Sequence, residues 1–134
     1  EAMLTPVPDA IEFYEATGVD ALAMSFGTAH GPYKLPPKLD LDRIAAVHQK
    51  TGAPLVMHGG SGVPDEDVRK GIEAGIRKVN IDTELRQAFL AEVRRQLAER
   101  PDELDPRKIF APAREVLKEH IKEKMRLFGC AGKA

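Results

Sequence analysis

The stretch LVMHGGSG, residues 55–62, decides the fold, because three apolar residues run into a histidine and then into a glycine-rich turn. Residues 53–57 have the continuous apolar character of a strand that is covered on both faces, as in a parallel sheet. After the turn, Pro64 and three acidic residues give the pattern of a helix N-terminus. The stretch therefore predicts a strand, a polar turn and a helix in succession.

The same unit recurs on both sides of this stretch. Apolar runs at 19–26 and 76–81 predict two further strands, and glycines end the predicted helices that precede the three strands. The predicted order is α-β-α-β-α-β-α-α, with units of about 22–30 residues, which is typical of right-handed β/α crossovers. We therefore expect an α/β fold with a parallel sheet.

Two helices are predicted to follow the third strand. The first begins near Thr83 and carries an apolar stripe of residues spaced by four, and the second runs from about Pro112 to Phe128. The stripe residues are Leu85, Phe89, Val93 and Leu97 in the first helix and Ala113, Leu117, Ile121 and Phe128 in the second.

The composition excludes several classes of protein. The 134-residue chain has a net charge of −1, so a nucleic acid or an anionic membrane is not its expected partner. No apolar run is long enough for a transmembrane helix, and the N-terminal residues do not resemble a signal peptide. The single cysteine, Cys130, excludes an internal disulfide framework and indicates a reducing compartment, which predicts a cytoplasmic protein.

Two histidines lie at or just past successive strand ends. His30 follows the first strand and His58 follows the second, and adjacent parallel strands are about 5 Å apart. Two imidazoles at matched heights could share one Zn²⁺ ion, whose catalytic sites usually have three protein ligands. The alternative is that each is a hydrogen-bonded loop residue. His48 and His120 fall within helical patterns, where surface or packing roles are expected.

The turns after the second and third strands have the character of a phosphate site. Gly59, Gly60 and Ser61 lie between a strand and a helix start, where bare backbone amides can approach an anion. The stretch NIDT, residues 80–83, offers a similar arrangement at the next strand. Its Asp82 would repel phosphate, so we expect it to orient a substrate hydroxyl or to cap the helix.

Together these residues resemble class II, metal-dependent fructose-bisphosphate aldolases and their tagatose-bisphosphate relatives. The resemblance is carried by GTAHG at 27–31, by HGGSG at 58–62 and by NIDT at 80–83, and it extends over nearly the whole chain. It implies a TIM (β/α)₈ barrel and a Zn²⁺ enzyme that cleaves fructose 1,6-bisphosphate reversibly to dihydroxyacetone phosphate and glyceraldehyde 3-phosphate.

The resemblance also implies roles for individual residues. His30 and His58 correspond to zinc ligands of the family, and the phosphate loops of family members often use a monovalent cation, Na⁺ or K⁺. Family members associate as dimers or tetramers. The residues that correspond to binding positions for dihydroxyacetone phosphate are Gly31, Gly59, Gly60, Ser61, Asn80, Ile81, Asp82 and Thr83.

The motif that carries the family's catalytic aspartate and third zinc histidine has no counterpart in this sequence. A TIM barrel needs roughly 200 residues or more, and three strands would match the last three of eight. We therefore expect residues 1–134 to be the C-terminal portion of one barrel, with β/α units over about 9–100 and a helical extension over about 101–134. The partner would be the missing N-terminal half, and the isolated chain is expected to be inactive.

Two alternatives remain to the interpretation of the chain as part of a fructose-bisphosphate aldolase. A tagatose-bisphosphate aldolase differs from it in substrate at one stereocentre, which nothing in these loops distinguishes. A non-catalytic half-barrel that binds sugar phosphates would keep GGSG and NIDT but would need neither histidine.

Overall fold

The computed structural model describes residues 3–29 and 37–133, which form two compact units, one ending at Ile81 and one beginning at Asp82. The first unit contains α1 (Val7–Thr17), β1 (Leu22–Ala23), α2 (Leu41–Thr51), β2 (Leu55–Met57), α3 (Asp65–Ala74) and β3 (Ile76–Val79). The second contains α4 (Thr83–Glu99) and α5 (Pro106–Leu127). Among the described residues, no helix combines the length and apolar character needed to cross a membrane.

The first unit contains the predicted parallel sheet. Its strands lie in the order β1-β2-β3, and both neighbouring pairs are parallel, with Leu22 opposite Leu55 and Leu55 opposite Ile76. The prediction of alternating strands and helices is therefore confirmed. The strands are shorter than the apolar runs that predict them. Past Ala23 the chain leaves β2 and pairs with the N-terminal segment, where the Thr5 N–H donates to the Ser25 carbonyl at 2.9 Å.

The core of the first unit lies between the sheet and its helices. The fully buried side chains of this core come from the strands, from the helices and from the loop after β1. The largest of them are Phe26, Ile44, Leu55, Met57, Ile76, Val47 and Val68. Leu55 and Met57 alternate with the half-buried Val56, so the helices cover one face of β2 more completely than the other.

Helix α2 is stabilised at its N-terminus by a side-chain cap and ends at a glycine in the left-handed conformation. Asp40 is its N-cap, where Oδ1 accepts from the Arg43 N–H at 3.0 Å and Oδ2 pairs with the Arg43 Nε at 2.9 Å. Gly52 closes the helix in the left-handed conformation, with φ of 69°. Arg43 also donates from Nη1 to the Thr5 carbonyl, so this helix start anchors the N-terminal segment.

Replacing Asp40 with alanine is expected to lower the free energy of unfolding by about 1 kcal/mol, the usual cost of a lost N-cap acceptor. Asp40→Asn keeps an acceptor for the Arg43 N–H and loses only the half-exposed ion pair, so it should cost less. Urea unfolding followed by circular dichroism measures both. Equal losses for the two variants would show that the ion pair, and not the cap, stabilises the helix start.

The second unit is a pair of helices that leaves several large apolar side chains exposed, among them Leu90, Leu104 and Phe110. Phe89 and Phe110 stack with ring centroids 6.2 Å apart, and Lys124 pairs with Glu84 at 3.1 Å. The stripe prediction holds only in part, because Leu97 is 53% exposed and Gln96 is buried in its place on α4.

Helix α5 begins six residues before the predicted start near Pro112. Asp105 caps it by accepting from the Arg107 N–H, and Pro106 occupies the first turn, where its missing N–H costs nothing. The Arg107 guanidinium and then its backbone N–H hold the pKa of Asp105 below the ordinary value. Pro112 therefore lies inside the helix. Its missing N–H removes one backbone hydrogen bond, and the helix continues past it.

Candidate functional site

Backbone hydrogen bonds join the turns that follow β2 and β3. The Asn80 N–H donates to the Met57 carbonyl at 2.8 Å, and the Gly60 N–H donates back to the Asn80 carbonyl at 3.1 Å. These two bonds extend the sheet beyond its strands and hold the GGSG turn against the start of the NIDT stretch. The two polar turns predicted to share a site are therefore adjacent.

The side chains of His58 and Asn80 meet above this backbone pairing. The Asn80 amide nitrogen lies 3.0 Å from Nδ1 and 3.4 Å from Nε2 of the His58 ring. The other end of the amide, Oδ1, accepts from the Lys78 ammonium. The structure thus brings together two of the predicted site residues, His58 and Asn80, and adds a cation that the sequence pattern did not single out.

A cavity of about 390 Å³ opens beside His58 at the carboxyl end of β1. Its wall is rich in small and hydroxyl-bearing residues and consists of Thr5, Ala23, Met24, Ser25, Thr28, Ala29 and His58. Thr5 and Ser25 fix each other, because the Ser25 N–H donates to the Thr5 hydroxyl and the Thr5 N–H donates to the Ser25 carbonyl, both at 2.9 Å. The cavity is open to solvent, and the Thr5–Ser25 pair gives it one fixed polar edge.

The site residues predicted from the sequence do not include Thr5, Ser25 or Thr28. Ser25 and Thr28 belong to the small, polar end of the first strand, and that signal was available. Thr5 lies twenty residues before Ser25, and only the pairing of the N-terminal segment with the sheet brings it to the cavity.

The GGSG turn is shaped by its glycines. Gly59 and Gly62 have φ of 64° and 82°, conformations that other residues rarely adopt. Ser61 is 9% exposed, and the next helix begins at Asp65 with three acidic residues in its first turn. Those carboxylates neutralise part of the positive charge at the N-terminus of the helix dipole. A phosphate bound here would therefore be held mainly by the backbone of the turn and less by the helix dipole.

Gly60 gives the turn its close approach to β3. A Cβ at this position would lie 2.8 Å from Val79 Cγ1 and 3.1 Å from the Asn80 carbonyl oxygen. Its N–H is already bonded to that carbonyl, so Gly60 contributes space and a backbone link. Its part in substrate binding stays a prediction.

Gly60→Ala is expected to push the GGSG turn away from Asn80, with an overpacking cost of about 1–3 kcal/mol. If the turn binds phosphate as the sequence motifs predict, this displacement should also weaken that binding. Isothermal titration with inorganic phosphate measures the binding. Because the closest contact is with Val79 Cγ1, the double variant Gly60→Ala/Val79→Ala should recover part of the loss. No recovery would place the strain elsewhere.

Asp82 and Thr83 open the second unit at the start of α4. Asp82 occupies the N-cap position, but its side chain makes no capping hydrogen bond and Oδ1 instead accepts from the Arg86 Nε at 2.7 Å. The prediction that Asp82 caps the helix through its side chain is therefore wrong, because the carboxylate turns to the guanidinium one helical turn ahead. A role for Asp82, Thr83 or Ile81 with a substrate stays a prediction.

Two predicted site residues lie outside the described residues, namely His30 of the metal site and Gly31 of the substrate site. Of the residues described, His58 fits zinc in its chemistry, because an imidazole at a strand end beside a cavity is a common ligand arrangement. Within residues 3–29 and 37–133, no group of three or more His, Cys, Asp or Glu side chains is placed to hold a metal ion. A complete site would therefore need His30 and a further ligand.

His48 and His120 have the structural roles expected for them. His48 Nδ1 lies 2.8 Å from the Ala53 carbonyl oxygen, and its side chain packs against Gly75, where a Cβ would come within 2.5 Å. His120 lies partly exposed on α5, 3.9 Å from Glu123.

Comparisons with known proteins agree with this architecture. A family model described as fructose-bisphosphate aldolase class-II matches residues 1–133. The chain is 46% identical over 123 residues to a probable fructose-bisphosphate aldolase of Bacillus subtilis (strain 168), covering 92% of this chain and 43% of that protein. It is 44% identical over 134 residues to a sulfofructosephosphate aldolase of Alkalicoccus urumqiensis, covering 100% of this chain and 47% of that protein.

The solved structure of the YdjI aldolase from Escherichia coli K12 matches with a TM-score of 0.84 at 38% identity, covering 98% of this chain and 48% of that one. The chain spans about half the length of the curated relatives it matches.

The chain is an α/β protein built from parallel β/α units. Histidine, asparagine and hydroxyl side chains lie at the carboxyl ends of its strands and form a polar site there. Because the family model matches almost every residue, the chain belongs to the class II fructose-bisphosphate aldolase family. The resemblance stated from the sequence motifs is confirmed.

Proposed function

We propose that this chain is the phosphate-binding and zinc-binding part of a class II aldolase that cleaves fructose 1,6-bisphosphate reversibly. The products would be dihydroxyacetone phosphate and glyceraldehyde 3-phosphate. The observation that carries the proposal is the pair formed by His58 and Asn80, which lies beside a hydroxyl-lined cavity in a chain of the aldolase family.

The three described strands would be the last three of a TIM barrel. The chain covers about half of its aldolase relatives, which supports a second half that completes the sheet. That half would supply the third zinc ligand and the acid or base that moves the substrate proton, so we expect the isolated chain to be inactive. The complete protein would act as a cytoplasmic dimer or tetramer.

Zinc would be held here by His58 and His30. When bound, it would supply a Lewis acid that polarises a carbonyl oxygen. A monovalent cation, Na⁺ or K⁺, would accompany the phosphate near the two polar turns. The support from the described residues is the imidazole of His58 at the cavity rim.

The chain's own residues would bind and orient the substrate. The substrate phosphate would contact the backbone of Gly31 and Gly59 and the hydroxyl of Ser61, while Gly60 would keep their turn close to β3. Fixing the phosphate would hold the reacting carbons in place. Cleavage of the C3–C4 bond leaves an electron pair on the three-carbon fragment as an enediolate. The Asn80 amide is an N–H donor that could stabilise such an oxyanion.

Sulfofructosephosphate is a second candidate substrate. The aldolase of Alkalicoccus urumqiensis that carries this name is 44% identical to the chain over its whole length, close to the value for the fructose-bisphosphate aldolases. Both names describe aldolases that act on anionic sugars. Tagatose bisphosphate and a binding module without catalysis remain as further alternatives.

A cleavage assay with the protein as isolated, including any accompanying half of the barrel, tests the proposal. Fructose 1,6-bisphosphate, tagatose 1,6-bisphosphate and sulfofructosephosphate are compared before chelation, after chelation and after Zn²⁺ is added back. Activity that chelation removes and Zn²⁺ restores supports the zinc aldolase, and the preferred substrate selects among the three. Phosphate binding without cleavage of any sugar would support the binding module.

A further inference from the structure

The sheet of the first unit has one buried face and one uncovered face. Successive residues of a strand point to opposite faces, so each row of residues paired across the sheet belongs to one face. One row is buried and consists of Leu22, Leu55 and Ile76. The next row is exposed or half-buried among the described residues and consists of Ala23, Val56 and Lys78.

Lys78 belongs to the uncovered row because of an irregularity in the sheet. The register between β2 and β3 shifts within the strands, so that Lys78, and not Arg77, lies opposite Val56. Arg77 instead donates from Nη1 to the Ile72 carbonyl at 2.6 Å. The cation of the uncovered row is therefore Lys78, and the neighbouring cation already has a backbone acceptor.

No opposite charge balances Lys78 within the part of the chain that the structure describes. There its ammonium donates to Oδ1 of the Asn80 amide, which is neutral, and it meets no carboxylate. Water can solvate the ammonium as long as this face of the sheet stays open. Once the face is covered, an ammonium is stable only where a carboxylate and hydrogen bonds replace its hydration.

The rest of the barrel would cover this face. Parallel sheets are as a rule covered on both faces, and in a closed β/α barrel the inner face is filled by side chains from all the strands. The chain accounts for only about half of its aldolase relatives, so the strands that would enclose the uncovered row belong to the other half. Ala23 and Val56 in that row are apolar, and neither can neutralise Lys78.

We propose that the other half of the barrel carries an Asp or Glu side chain that pairs with Lys78, so that this ion pair joins the two halves inside the barrel. The inference rests on the proposed function, because it uses the completed barrel. The surface that meets this sheet is therefore apolar beside Val56 and acidic opposite Lys78.

Lysine methylation tests whether Lys78 is enclosed in the protein as isolated, with the accompanying half present. Formaldehyde and a borane reductant are applied without sugar or phosphate, and peptide mass spectrometry follows each lysine. Lys70 and Lys118 are matched references, because each is about half exposed and pairs with a surface glutamate at 3.3 Å. Lys78 should react at least about tenfold more slowly than they do, since an enclosed amine reacts only when the structure opens locally.

Three other results of the methylation would overturn the proposal. Lys78 could react as fast as the two reference lysines. It could be protected only after fructose 1,6-bisphosphate or phosphate is added, which would make the substrate its partner. It could be protected in a preparation that contains this chain alone, which would show that a second copy covers the sheet.

Substitutions in the same complete protein test the charge of Lys78. Lys78→Met keeps the apolar stem and leaves the proposed carboxylate buried without a partner, so the melting temperature should fall by about 6–20 °C. Lys78→Arg keeps a cation and should lose much less, as should Arg77→Met, which removes the neighbouring cation. Failure of Lys78→Met to assemble, while Arg77→Met assembles, would also support the proposal, and a Lys78→Met protein as stable as the parent would overturn it.

A second substitution identifies the acid. In the Lys78→Met background, each Asp or Glu on the strands of the other half is replaced in turn by Asn or Gln. One double variant should recover most of the lost melting temperature, because it removes the carboxylate that had lost its partner. Recovery in none of them would show that Lys78 stabilises the protein without a carboxylate, and the proposed ion pair would be wrong.

These measurements separate failure of this inference from failure of the proposed function. If the parent protein cleaves sugar phosphates but Lys78 is methylated as fast as Lys70, the aldolase proposal stands and the ion pair is refuted. If Lys78 is enclosed and a double variant recovers stability but the parent cleaves no sugar, the ion pair stands and the aldolase activity is refuted.

Discussion

If the chain is part of a zinc aldolase as proposed, replacing His58 with alanine should abolish zinc binding and lower the rate of aldol cleavage by more than about 100-fold, since even the loss of a residue that only orients a metal ligand costs about 10–100-fold. The reason is that His58 is the one described residue at the cavity rim with a nitrogen ligand suited to zinc. The substitution also removes the hydrogen-bond partner of the Asn80 amide. Zinc content after dialysis and the cleavage rate measure the two effects.

His120→Ala is the matched control for this prediction, because it removes a partly exposed histidine from α5 and should change neither quantity. The result also separates the enzyme from a binding module. A module that binds sugar phosphates without a metal would keep both its folding and its phosphate affinity in His58→Ala. If the variant retained zinc and full activity, His58 would not be a ligand, and the metal site would have to be sought elsewhere.

The order of helices and strands could be predicted because its signals are local. A continuous apolar run indicates a covered strand, and a glycine after a helical pattern indicates its end, as Gly18 and Gly52 show with φ of 64° and 69°. The adjacency of the GGSG and NIDT turns could be predicted for a related reason. In a parallel sheet the carboxyl ends of neighbouring strands meet at one edge, so chain order and sheet type suffice.

Features that depend on register or on distant partners could not be predicted. The pairing of Val56 with Lys78 and not with Arg77 depends on a register shift after Leu55, which the two strand sequences do not indicate. The position of Thr5 at the cavity depends on pairing across twenty residues. Periodicity also indicates which face of a helix is apolar without showing what covers it, and Leu97 and Ile121 remain 53% and 41% exposed on predicted stripes.

Gly27→Ala is expected to have the largest effect on stability. Gly27 has φ of 112°, and a Cβ there would lie 2.2 Å from the Lys38 carbonyl oxygen. That oxygen belongs to the backbone just before the α2 cap, where the Asp40 N–H donates to the Phe26 carbonyl at 2.9 Å. Backbone strain of about 1–3 kcal/mol and overpacking of about 1–3 kcal/mol would together lower the free energy of unfolding by about 2–6 kcal/mol.

Gly18→Ala separates the two causes of that loss. Gly18 also has a positive φ, 64°, but a Cβ there would meet nothing within 4 Å, so only the conformational cost of about 1–2 kcal/mol should appear. Urea unfolding of both variants gives the difference, which is the cost of forcing residues 27 and 38 apart. Equal losses would show that the chain can relax at this contact. A larger loss in Gly27→Ala would show that the contact with the Lys38 carbonyl adds a steric cost to that of the positive φ.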